Sequence, residues 1–185
     1  DSADVHEPCF KGPTRDFVRD QACLFGQPLA EGERPDSVLI GDSHAIALIG
    51  FGALKTQDAR YFRTETDAAG DALSGTSSYR MVIPPAGVPV KAFWSLSEYQ
   101  PDADGRLFFF KVPIDRHSIN SGSSDLVKRP DGSIVLHLSR ERPEEKDVVW
   151  VPTPEGPFEA IFRTYRPEEP VIDGSWSVPP LAKQG

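Results

Sequence analysis

Between Asp58 and Pro180, apolar and polar residues alternate in short runs, and each run ends in residues that turn the chain. "YFRTET", "SYRMVIP" and "VKAFWSLSEYQ" repeat with a period of two, which puts successive side chains on opposite faces of a strand. "DADGRLFFFKV" and "KRPDGSIVLHLS" each set Asp-Gly before an apolar run, a strong short-range hairpin signal. "PFEAIFRTYR" reads as a further alternating strand and "PVIDGSWSVPP" as a proline-bounded terminal one. Eighteen prolines and 15 glycines leave little room for long helices. This spacing of strands and turns predicts a mainly β chain, an antiparallel β-sandwich or jelly roll over 57–185. Its expected core contains Phe93, Trp94, Phe108 to Phe110, Leu136 and Phe162, because aromatics in alternating strands are usually interior. Within "VKAFWSLSEYQ", Phe93, Ser95 and Ser97 share one face, and Trp94, Leu96 and Tyr99 fall mostly on the other.

Residues 1–56 have a different texture and read as an N-terminal extension. Cys9 and Cys23 lie in one polar segment, "CFKGPTRDFVRDQAC". An even count at short spacing predicts a disulfide; two reduced core thiols are the alternative. After "GERPDS" come Val38 to Ile40, a short candidate strand, then the turn Gly41 to His44, then Ala45 to Leu54 with a helix-like composition. That last run is the longest apolar one and is shorter than the ~20 residues of a membrane span. The net charge of −8 disfavours nucleic acid and anionic lipid, both of which call for a basic face. The opening residues do not read as a signal peptide, which fits a cytosolic or a mature secreted protein, and the cysteine pair points to the second.

Six segments carry a resemblance: "ARYFRTETDAAGDALSGTSSYRMVIP", "AFWSLSEYQPD", "DRHSIN", "RPDGSIVLHLS", "WVPTPEGPFEAIFRTYRPE" and "DGSWSVPP". In order and spacing they resemble the bacterial domain of unknown function 1214. The resemblance implies a β-rich sandwich or jelly roll with no established chemistry, usually the C-terminal half of a two-domain envelope or secreted protein. His117 departs from it, standing where the family more often has tyrosine. Over residues 9–50, the cysteine pair and "VLIGDSHAIAL" resemble the first block of the SGNH hydrolase domain of periplasmic sugar O-acyltransferases.

That second resemblance implies Ser43 as a nucleophile. A serine hydroxyl needs a base to take its proton, and the family supplies it from an Asp-x-x-His motif. The residues three before the four histidines are Ala3, Gly41, Ile114 and Ile134, none of them aspartate. The only asparagine, Asn120, belongs to the other pattern. Ser43 is therefore expected to sit in a strand-to-helix turn without a catalytic base.

Asp115 and His117 share a face if extended, and with His137 they are potential metal ligands, but their spacing is not diagnostic. No metal and no cofactor are expected. Tyr99, Arg116 and His117 are the candidate ligand-binding residues, since each carries a polar tip that seeks a partner. The reading is a periplasmic or secreted β-sandwich domain that binds a small molecule or glycan, with no nucleic-acid partner and no membrane span. One alternative is a serine esterase or acyl-transfer enzyme using Ser43. The other is a structural module that forms homo-oligomers through open strand edges.

Overall fold

The computed structural model describes residues 56–114 and 116–185, together with the backbone of a two-residue strand, β1 (Arg15–Asp16). The other strands are β2 (Ala59–Thr64), β3 (Tyr79–Ile83), β4 (Val90–Pro101), β5 (Leu107–Phe108), β6 (Ser118–Asn120), β7 (Ile134–Ser139), β8 (Val149–Pro152), β9 (Glu159–Pro167) and β10 (Ala182–Lys183). A single-turn helix, α1 (Glu169–Ile172), follows β9. The described residues are thus mainly β with almost no helix, as the alternation predicts.

Two sheets form. The larger has the order β1-β2-β9-β4-β5, with β6 also paired to β4, and all its pairs are antiparallel. The smaller has the order β10-β3-β7-β8. One of its pairs, β7 with β8, is parallel, which departs from the wholly antiparallel expectation. A tight hairpin joins only antiparallel neighbours, and here the connection over 140–148 is long enough to carry the chain back to its starting side.

One apolar cluster takes residues from both sheets. Phe62, Trp94, Leu96 and Phe162 come from the larger sheet, and Met81, Ile83, Leu136, Leu138, Val149 and Val151 from the smaller. Trp94 lies flat against Phe162, with ring centroids 5.5 Å apart. Arg60 ties α1 to this body by donating from one guanidinium nitrogen to the carbonyls of Val171 (2.6 Å) and Ile172 (2.9 Å). A cation at a helix C-terminus also meets the negative end of the helix dipole.

Of the expected core, Trp94, Leu136, Phe110 and Phe162 are buried, whereas Phe93, Phe108 and Phe109 are exposed. Phe93 follows the parity of Ser95 and Ser97 and so points away from the core. β5 spans two residues at the sheet edge, too little to bring a partner over Phe108 and Phe109.

The two Asp-Gly turns also differ. Asp102 to Arg106 closes a hairpin between β4 and β5, with Gly105 at φ +77°. Asp131-Gly132 turns the chain into β7, but the residues before it form no strand. The predicted strand in "PVIDGSWSVPP" is instead the helix α1 and a turn. Pro170 fits a first helical turn, and Asp173 then accepts the Ser175 amide while Gly174 takes φ +81°.

Candidate functional site

The outer face of the larger sheet is built by parity. In β4, Trp94, Leu96 and Glu98 turn toward the core, so by parity Phe93, Ser95, Ser97 and Tyr99 lie on the other face, where Ser95 and Ser97 are themselves buried. In β9, Ala160, Phe162 and Thr164 turn inward, leaving Ile161, Arg163 and Tyr165 outward. The register sets Phe93 opposite Tyr165, Ser95 opposite Arg163 and Ser97 opposite Ile161.

The rings of Phe93 and Tyr165 stack at 4.2 Å with 19° between their planes, and Phe93 keeps 42% of its surface exposed. Further along the face the Arg163 guanidinium donates to Ser97 Oγ (3.0 Å) and Tyr99 Oη (2.8 Å). Its charge lies 5.8 Å from the Tyr61 ring and 5.6 Å from the Tyr99 ring. Burial, and then Tyr165, hold the Tyr61 phenol above its ordinary pKa against the pull of Arg163, so this hydroxyl is neutral at pH 7. Beyond Tyr99, Phe109 stacks on it at 4.9 Å and is 57% exposed. Phe109 in turn meets His117 at 4.9 Å, and the buried Phe110 meets His117 edge-on.

Tyr99 and His117 are therefore brought together, with Phe109 between them. Tyr99 does not join Trp94 and Leu96, as expected from sequence, but lies on the face of Ser97. Arg116 is directed elsewhere: it donates to the Trp150 carbonyl (2.9 Å) and pairs with Asp125 at the rim of a separate cleft. His137 lies in the smaller sheet, where its Nδ1 accepts from Arg80 (3.3 Å). Burial and the Arg80 charge lower its pKa, opposed by Glu145. His117 and His137 share no partner among the described residues, and Asp115 lies outside them. Ser43, Cys9 and Cys23, with the strand and turn expected at Val38 to His44, also lie outside the described residues.

Sequence reasoning missed Arg163 and Tyr61, whose places depend on strand register, whereas Tyr165 was among the aromatics it allowed for a sugar-stacking platform. It missed Phe93 as a surface ring, although the two serines sharing its face were a legible signal. It also missed Glu98, which is 1% exposed on the core face. Neither of its carboxyl oxygens has a hydrogen-bond partner among the described residues, and burial pushes its pKa well above the carboxylate range. Its amide donates to the His117 carbonyl at 3.4 Å, and the buried Nδ1 of His117 also lacks a partner among the described residues.

A structure of the VPA0106 protein from Vibrio parahaemolyticus is similar to this chain, with a TM-score of 0.61 and 25% identity. The similarity covers 76% of this chain and 34% of that one, so this chain spans about a third of its relative's length. A second structure, of an uncharacterised Burkholderia cenocepacia protein, matches at 16% identity and a TM-score of 0.43, over 72% of this chain and 31% of that one. No curated protein matches the chain. The model of a family described as "Protein of unknown function (DUF1214)" matches residues 58–169 and takes in none of residues 9–50, where the hydrolase resemblance rests. Since that match covers more than half of the sequence, the chain belongs to the DUF1214 family.

Proposed function

We propose that the chain is a ligand-binding β domain whose outer sheet face takes a glycan, in a periplasmic or secreted setting where such polymers are met. In this reading the two sheets make a sandwich of jelly-roll type, which carries the platform without supplying chemistry. The observation that carries the proposal is the pair of ring stacks, Phe93 with Tyr165 and Tyr99 with Phe109, on either side of the fixed Arg163 guanidinium. A sugar ring has an apolar C–H face that lies on an aromatic ring and hydroxyls that need donors and acceptors at its edge. Tyr99 accepts from Arg163 and so keeps its own proton to donate, while Asn120, opposite Ser95, adds an amide. Of these four rings, Phe93 and Phe109 are the exposed ones.

Native electrophoresis through gels containing soluble polysaccharides tests the reading. Wild-type protein is expected to be retarded by at least one neutral polysaccharide, with Phe93→Ala weakening the retardation about tenfold or more. Equal migration of wild type and Phe93→Ala in every gel would sink the proposal.

A further inference from the structure

Away from the sheet face, residues 114, 116, 125 and 127 line a cleft of about 490 Å³ together with residues 142–146 and 148–150. That volume lies within the ~300–1,000 Å³ of small-molecule sites. Its apolar wall is formed by Ile114, Val127 and Trp150, and the first two are exposed large hydrophobics. The Trp150 indole is fixed by its N–H, which donates to the Ser139 carbonyl at 2.9 Å.

The charges are arranged unevenly. Glu145 is already held by Arg80 and by Arg129, which bonds it at 2.6 Å and also reaches Asp147 at 2.9 Å. Of the other described lining residues, Arg116, Arg142 and Lys146 are cations, against the carboxylates of Asp125 and Glu144. One positive charge is left over, in a chain of net charge −8. Arg142 and Lys146 have no ion pair among the described residues, whereas Arg116 is anchored by the Trp150 carbonyl and by Asp125.

We propose that this cleft binds a small monocarboxylate with an apolar body, its carboxylate between the Arg116 and Arg142 guanidiniums and its body against Ile114, Val127 and Trp150. The planar fork of a guanidinium matches a carboxylate, and an anchored Arg116 has little freedom left to lose on binding. Burial, and then the nearby charge of Arg142, lower the Arg116 pKa, so a second anion beside Asp125 would be favoured by both guanidiniums. The single surplus charge suits a monoanion better than a phosphate. The site is independent of the glycan-binding face, and neither proposal needs the other.

Calorimetric titration of the full chain with acetate, hexanoate and benzoate tests the cleft, with benzyl alcohol as the uncharged counterpart of benzoate. Arg142→Gln is the variant of choice, because Arg142 is exposed and unpaired among the described residues, while loss of Arg116 also removes a bond to the Trp150 backbone. Hexanoate or benzoate is expected to saturate the protein. Benzyl alcohol should bind at least about tenfold more weakly than benzoate, and Arg142→Gln should lose about tenfold in carboxylate affinity with an unchanged melting temperature. The proposal is overturned if none of the three acids saturates by about 10 mM. It is equally overturned if benzyl alcohol matches benzoate, or if Arg142→Gln binds like the wild type.

Discussion

Glu98 occupies a position that the alternation of β4 reserves for an apolar side chain, between the inward parity of Leu96 and the end of the strand. An unpartnered polar group in such a place costs about 1–3 kcal/mol. Glu98→Met is therefore expected to raise stability at pH 7 by about 1–3 kcal/mol, measured by urea unfolding. The pH dependence has a definite sign. Burial raises the folded pKa above the ordinary 4.5, so the neutral acid is the form the fold favours. Its contribution is complete below 4.5 and is lost as pH rises through the raised folded value. Wild-type stability should fall relative to Glu98→Met as pH rises from about 4 toward neutrality. A variant that is less stable than wild type at pH 7 would show that the carboxylate has a partner.

Among the elements, the longer strands were legible because alternation needs only neighbours in sequence: β2, β3, β4 and β9 fall where "YFRTET", "SYRMVIP", "VKAFWSLSEYQ" and "PFEAIFRTYR" predict. What was illegible depends on something distant. "LFFFKV" is apolar, but burial requires a surface to bury against, and at this sheet edge only Phe110, beyond β5, finds one. The candidate site shows the same division. Tyr99 and His117 stood out for their own side chains, whereas Arg163 meets Ser97 across a sequence separation of 66 residues. Nor does alternation foresee Gly75, whose absent side chain lets two loops touch. Its amide donates to the Gly156 carbonyl (2.9 Å), and an added Cβ would lie 1.6 Å from the Pro154 carbonyl oxygen. The obstacle is backbone, so it cannot rotate aside. Gly75→Ala is expected to lose about 3 kcal/mol, the upper end of overpacking costs, with a matching drop in the denaturation midpoint. Wild-type stability in that variant would mean the loops part without penalty.

For the molecule as a whole, the sheet order β2-β9-β4 has a consequence in time. Phe62 of β2 and Leu96 of β4 both pair with Phe162 of β9, and β2 and β4 do not pair with each other. Contacts between residues so far apart in sequence slow folding into the millisecond-to-second range or beyond. Stopped-flow refolding of the full chain should accordingly show no microsecond route to the native state; finding one would mean that the larger sheet does not assemble around β9. On the ribosome the delay is longer. At ~5–20 residues per second, the ~100 residues between β2 and β9 take about 5–20 s to synthesise. Until β9 is made, the facing edge of β2, and that of β4 once it has followed, have no native neighbour. The strand at the middle of the finished sheet is thus the last long one to be made, and newborn chains must be kept apart until it arrives.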